Sequence, residues 1–232
     1  MEKSFKIIIP SVGRSDYNIL RNLILESQKN NKYNSHVLSI GSHNSKLFGD
    51  TKNLFKRDKI KKKSFIKIKY FKNDKNNTII YFSKKIKEID KILKKIKPNI
   101  CIIMGDRYEM FASAIACKNL NIKIIHLCGG STTLGSHDND YRYCISKLSD
   151  FHFVETYQHK KKLINNDIKK DKILVSGAPA LENLDHLIYK NKNILFEELN
   201  IPATNQKIIV FTYHPETTET LNKNLNNLEI CL

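Results

Sequence analysis

The chain has 232 residues, 41% of them hydrophobic and 9% aromatic, an ordinary globular profile that excludes wholesale disorder. Its 40 basic against 23 acidic residues leave a net charge of +17, a level at which a nucleic-acid partner has to be weighed. Only Arg14, Arg21, Arg57, Arg107 and Arg142 carry guanidinium groups, and the lysines accompany asparagine and isoleucine evenly along the chain; this reads as compositional bias, and no nucleic acid is expected as partner.

FKIIIP (5–10) reads as a buried strand, followed by YNILRNLILESQKN (17–30) with apolar residues at helical spacing. SHVLSIG (35–41) is a second strand, and residues 44–77 form a Lys-rich excursion with a weak strand at 64–71. Residues 78–97 then place Ile79, Phe82, Ile86, Ile89, Leu93 and Ile96 on one helical face with lysines opposite, and Pro98 ends the helix. A strand at 100–105, a small-residue helix at 109–121 and a strand at 123–130 follow. The series closes with a helix at 141–150, strands at 151–156 and 172–177, and between those strands a basic helix at 157–167.

Such alternation predicts an α/β fold, a doubly wound parallel sheet of Rossmann-like type. Its strands lack hydrophobic alternation, as expected when helices cover both faces. Residues 1–185 are expected to form this domain. Residues 186–232 read as a linker plus the first strand (207–213) and helix of a second, incomplete α/β domain, since a lone parallel strand cannot bury both faces.

The five scattered cysteines, Cys101, Cys117, Cys128, Cys144 and Cys231, form no C-x-x-C pair, so neither disulfides nor zinc are expected and the address is cytoplasmic. The isoleucine run ended by Pro10 is too short for a signal peptide, and no stretch approaches the ~20 apolar residues of a membrane span.

Ligands of doubly wound sheets bind beyond the carboxyl ends of the strands, and the unusual residues of this sequence gather there. In SVGRSDY (11–17), Gly13 permits close backbone approach at a helix N-terminus and Arg14 suits a phosphate; the loop is neither G-x-G-x-x-G nor a Walker loop. GDRYEM (105–110) puts Asp106 and Arg107 at the end of the most apolar strand, where Asp106 would equally cap the next helix and pair with Arg107. HLCGGSTTLGSHDNDYRY (126–143) adds Gly130, Ser131 and Asp138, so that two carboxylates from separate loops can transfer protons in one crevice. His126 reads equally as a hydrogen-bonded core histidine, and its spacing from His137 does not suit a helical metal site. YHPET (213–217) carries His214 at the end of the last strand.

Together these loops resemble the UDP-N-acetylglucosamine 2-epimerase family, most closely the hydrolysing branch that feeds nonulosonic-acid (sialic, legionaminic) synthesis. The matching signatures run in order: GRSDY at 13–17, GSH…FG at 41–49, GDRYEM, HLCGGSTTLGSHDNDYRY, SGAPALENL at 176–184 and YHPET. The resemblance implies the first half of a two-domain GT-B architecture that eliminates UDP from a UDP-linked 2-acetamido sugar and hydrates the glycal, without a cofactor or metal. It implies Asp106 and Asp138 as the acid–base carboxylates and His214 as support for the leaving group. Gly13, Arg14, Asp16, His43, Arg107, Gly130 and Ser131 would lie on the substrate, with Arg14 and Arg107 at the diphosphate.

Two positions depart from the family's pattern. Ser131 stands where a glutamate is usual, and Tyr143 where a histidine is usual. The alternatives are therefore an inactive remnant of the family that only binds, or a basic nucleic-acid module. Family members continue well past this length, so the 232 residues alone are expected to be inactive; a homo-oligomer is compatible with the sequence.

Overall fold

The computed structural model describes residues 4–44, 49, 51–66, 75–182, 191–202, 207–216 and 219–232. The described chain separates into two compact units, Met1–Ala180 and Leu181–Leu232.

The first unit is built on seven parallel strands: β1 (Phe5–Ser11), β2 (Tyr33–Ser39), β3 (Lys63–Phe65), β4 (Ile100–Met104), β5 (Lys123–Leu127), β6 (Phe151–Val154) and β7 (Ile173–Val175). Their order is β3-β2-β1-β4-β5-β6-β7, so the chain winds outward in one direction from β1 and in the other from β4. The crevice of such a sheet opens where the winding reverses, beyond Ser11 and Met104. β1 is in register with β2 from Phe5↔Tyr33 to Ser11↔Ser39, and β4 with β5 from Ile100↔Lys123 to Met104↔Leu127.

The helices between them are α1 (Arg14–Lys29), α2 (Lys52–Arg57), α3 (Lys75–Ile96), α4 (Tyr108–Asn119), α5 (Asp138–Leu148) and α6 (Tyr157–Asn165). Successive residues of a strand face opposite sides, and both sides are apolar. Ile8, Cys101, Ile103 and Ile124 pack with Ile89 and Leu93 of α3, Met110 and Ala114 of α4 and Ile145 of α5. Ile7, Ile9, Ile102 and Met104 pack on the other side with Tyr17, Leu20 and Ile24 of α1 and Phe55 of α2. Burying each Leu or Ile of these clusters contributes about 1.5–3 kcal/mol.

The sequence-predicted elements recur with shifted ends. α1 begins at Arg14, three residues early, because Asp16 satisfies the amides that precede it. α2 appears inside the excursion, anchored by the fully buried Phe55. The weak strand shortens to Lys63–Phe65, its predicted remainder at 67–71 lying outside the described residues. The helix predicted over 178–191 is described only as a 3-10 turn at Pro179–Leu181, residues 183–190 again lying outside.

The second unit corrects one expectation outright. Residues 207–213 form no strand: Ile209 and Val210 are each 88% exposed, and the residues carry no ladder. A parallel strand needs neighbours on its edges to pair its N–H and C=O groups, and none of the described residues of this unit provides one. The unit instead contains α7 (Lys192–Glu198) and α8 (Leu221–Cys231). The buried Asn224 of α8 pins the preceding turn, its Oδ1 accepting from Tyr213 Oη (3.1 Å) and Glu216 N (2.8 Å).

Candidate active site

Gly105, in a left-handed turn at φ 75°, lifts the chain off β4 and presents Asp106 at the carboxyl edge of the sheet. Asp106 does not cap α4; Arg107 itself is the N-cap residue, without a side-chain cap. The carboxylate of Asp106 is taken instead by Arg142 of α5, whose Nη2 donates to Oδ2. A guanidinium offers a fixed fork of donors, and Arg142 uses it to gather the whole 131–139 loop. Nη2 also donates to Thr133 Oγ1 (3.2 Å) and Nη1 to Asn139 Oδ1 (3.4 Å).

Asp138 opens α5 and lies close enough to act on Asp106 electrostatically. Burial raises the pKa of Asp106, Asp138 pushes the same way, and Arg142 opposes both without reversing the shift. Two carboxylates from separate loops therefore meet at one edge, with Asp106 made more basic than an ordinary aspartate. The sequence reading gave Arg142 no task. Its signal was spacing, since it follows Asp138 by four residues and so lies one turn along the same helical face.

His126 is fully buried, with Nε2 2.8 Å from the Gly105 carbonyl and Nδ1 3.0 Å from Ser146 Oγ. A carbonyl only accepts, so Nε2 carries the proton and Ser146 donates to Nδ1. Burial lowers its pKa to about 3, which keeps the ring neutral. It is a core histidine that braces the Gly105 turn beneath Asp106.

The remaining predicted residues divide into those that face outward and those turned inward. Arg14 is exposed at the start of α1, and the Arg107 side chain is 44% exposed. Asp16 is turned in: its Oδ2 accepts from Val12 N (2.9 Å) and Gly13 N (3.3 Å), which shapes the loop before α1. Gly13 is extended, and a Cβ there would lie 2.6 Å from Ser42 Oγ, so the two loops touch through a glycine. His43 is fully buried between Ser11 Oγ (2.9 Å) and Thr51 Oγ1 (2.6 Å), and burial lowers its pKa to about 4. Both Asp16 and His43 thus hold loops.

Gly130, at φ 82°, packs so closely on α6 that a Cβ would lie 2.6 Å from the His159 carbonyl oxygen. Ser131 Oγ donates to the Cys128 carbonyl (3.4 Å), and Tyr143 is 46% exposed. With Arg142 and Lys162 they line a small pocket of about 70 Å3 between α5 and α6. Cys128 is left-handed at φ 61°, and its thiol hydrogen-bonds Glu155; burial and that carboxylate push its pKa up to about 12, which favours the neutral thiol. His214 is exposed in the second unit. Among the described residues no cluster of His, Cys, Asp and Glu could hold a metal ion, and no helix is long and apolar enough to cross a membrane.

Comparison with known proteins gives this geometry a context. The profile of a family described as UDP-N-acetylglucosamine 2-epimerase matches residues 25–232. A Campylobacter jejuni protein named GDP/UDP-N,N'-diacetylbacillosamine 2-epimerase (hydrolyzing) is 33% identical over 94% of this chain and 56% of its own length. A Legionella pneumophila UDP-N,N'-diacetylbacillosamine 2-epimerase (hydrolyzing) is 28% identical over 92% of this chain and 56% of its own length. A crystal structure of a Neisseria meningitidis UDP-GlcNAc 2-epimerase bound to UDP-GlcNAc superposes with a TM-score of 0.69 at 21% identity, over 85% of this chain and 52% of that one. A further 2-epimerase structure reaches a TM-score of 0.71 at 22% identity, over 83% of this chain and 54% of the other. The shared fold is the Rossmann-like first half of a GT-B architecture, and the chain spans a little over half the length of the curated relatives it matches.

Proposed function

Because the chain belongs to the UDP-N-acetylglucosamine 2-epimerase family, we propose that it supplies the acid–base half of a hydrolysing 2-epimerase acting on a UDP-linked 2-acetamido sugar, with UDP-N,N'-diacetylbacillosamine as the substrate its relatives' names favour. The observation that carries the reading is the meeting of Asp106 and Asp138 at the edge where the sheet's winding reverses, with Asp106 clamped by Arg142.

The chemistry fits these groups. A carboxylate takes the proton from C2 while the C1–O bond breaks and its electron pair leaves with UDP. Water then adds at C1, and C2 is reprotonated on its opposite face, releasing a free 2-epimeric sugar. Desolvation that raises the basicity of Asp106 suits it to the first proton, and a second carboxylate on another loop suits delivery from a different direction. The outward cations Arg14 and Arg107 would stabilise the charge that builds on the diphosphate, the term that usually dominates such cleavages. No step calls for a redox or metal group. The products would enter nonulosonic-acid synthesis, in a soluble cytoplasmic enzyme.

Ser131 favours a second reading, a remnant that binds without turning over, because it leaves the glycine loop with a hydroxyl bonded to Cys128 O where a titratable group would act. The deciding experiment fuses residues 1–232 to the C-terminal half of the Campylobacter relative and follows UDP and free sugar from both UDP-sugars. We expect turnover by the fusion, about 10³-fold less by its Asp106→Asn variant, and none by the 232-residue chain alone. A folded fusion that binds UDP-sugar but releases no UDP, beside an active parent enzyme, would establish the remnant.

A further inference from the structure

The helical pattern places Lys85 among the lysines on the polar side of α3, yet among the described residues it is the one lysine without exposed surface. Its Nζ lies 3.1 Å from Glu109 Oε1, and it sits 4.4 Å from the Tyr81 ring centroid and 4.9 Å from that of Tyr108. Glu109, in the first turn of α4, is equally buried. Taking two charges out of water costs several kcal/mol per ion, and a pair of apolar residues of the same volume would commonly be as stable. Stability therefore does not explain the pair. Its surroundings do.

Glu109 touches three segments that meet at the carboxyl edge. Through Oε1 it holds α3 by Lys85, and through Oε2 it lies 3.5 Å from Arg107 Nε. Oε1 also abuts the turn after β2: a Cβ on Gly41, which is left-handed at φ 76°, would stand 3.1 Å from it. That turn (Gly41–Asn44) is fastened on its other side by the His43 amide, which donates to the Val12 carbonyl (3.2 Å). One buried carboxylate thus joins the β4–α4 loop, the β2 turn and α3.

We propose that Glu109 and Lys85 are positioning residues: Glu109 is a strut that fixes the bearing of the Arg107 guanidinium and the seat of the Gly41–Asn44 turn, and Lys85 is the buried counter-charge that holds the strut in place. The functional part of this rests on the reading of Arg107 as a diphosphate contact. Preorganisation of that kind matters because an error of about 1 Å in a binding group can cost on the order of 10²-fold in rate.

The test uses the 232-residue chain. Lys85→Met/Glu109→Leu removes both buried charges together, and Arg107 is exposed enough to be solvated, so the fold should persist, with slow exchange retained in β4. In it we expect the His43 amide to exchange at least tenfold faster and the ordered Nε–Hε signal of Arg107 to be lost. A second measurement needs no variant. Burial, reinforced by Arg107 and opposed by Glu109, lowers the Lys85 pKa to about 8. The groups facing Lys85 are Glu109 and Tyr108 from α4, Arg107 from the loop before it, and Tyr81 from its own helix. As Lys85 loses its proton, Glu109 loses its buried counter-charge, and the Arg107 Nε–Hε resonance should shift with the same midpoint as Lys85 Nζ. A folded double variant with unchanged His43 exchange and Arg107 order would overturn the proposal, as would an Arg107 signal flat through the Lys85 titration. Failure of the diphosphate reading would show separately, as absence of any saturable Arg107 shift with inorganic pyrophosphate while the strut effects remain.

Discussion

Two aspartates in the first unit each bind arginine, and they end with opposite acidities. Asp58, just after α2, accepts from Arg21 Nε (2.8 Å) and Nη2 (2.9 Å), from Arg57 Nε (3.0 Å) and from Tyr17 Oη (2.9 Å). Burial pushes its pKa up, but those hydrogen bonds outweigh burial and hold the carboxyl below the usual range. Asp106 has one arginine and a neighbouring carboxylate, and burial wins. The number of donors, rather than the presence of a salt bridge, separates a structural carboxylate from a proton-transfer carboxylate. Asp58 is saturated by three side chains; Asp106 is held by one side chain and its own backbone amide and is left basic.

The sharpest way to break this contrast is to neutralise each carboxylate. Asp106→Asn in the fusion enzyme keeps the shape and can still accept from Arg142, but it takes no proton, so turnover should fall about 10³-fold with little change in stability. Asp58→Asn should do the reverse. It leaves Arg21 and Arg57 to solvent, which limits the loss because both are partly exposed, and it weakens the acceptor of the buried Tyr17; about 2–3 kcal/mol of stability should go, with turnover per folded molecule unchanged. Urea unfolding and initial rates on the same preparations check both. Equal rate losses would dissolve the distinction.

Next in size is the glycine loop beside Asp106. Gly130→Ala places a Cβ 2.6 Å from the His159 carbonyl oxygen in a left-handed backbone and should cost about 2–3 kcal/mol. Gly105→Ala is the control: it is also left-handed, at φ 75°, but meets nothing within 4 Å, so about 1 kcal/mol is expected. Thermal or urea midpoints for the two variants measure the difference.

How far the sequence made these regions legible follows from the range of the interactions. The strands showed because parallel strands buried on both faces must be continuous apolar runs, as in ICIIM at 100–104. The convergence of Asp106 and Asp138 on one edge follows from the winding alone. The sequence marks the loops of Asp16 and His43 but not their polar partners, which are backbone amides in the first case and Ser11 with Thr51 in the second. The Lys85–Glu109 pair joins residues on different helices and nothing local marks it among 35 lysines. The 207–213 run has the composition of a strand, yet composition cannot supply the neighbours that pairing needs.

The smallest effect is the most discriminating, because each half of the contrast contains a buried neutral histidine tied to its loops. His43 packs against Phe55 beside Tyr17, in the half that holds Asp58, and His126 braces Gly105 beneath Asp106. Burial lowers their pKa values to about 4 and about 3, against an ordinary histidine value of 6.5. The unfolded chain therefore takes up these protons near pH 6.5 while the folded chain refuses them. The stabilisation is full above that pH and is lost as the pH falls toward 4 for His43 and toward 3 for His126, at about 1.4 kcal/mol per pH unit for each ring. Between pH 6 and 4.5, His43→Asn and His126→Asn should each flatten the stability profile by that one-proton slope, and by the same amount. They should differ at Asp106. His126→Asn loosens the Gly105 turn, so the Asp106 carboxyl resonance should titrate at a shifted pH, whereas His43→Asn should leave it in place. A shift in both variants would mean that the two halves are coupled, and no shift in either would remove His126 from the support of Asp106.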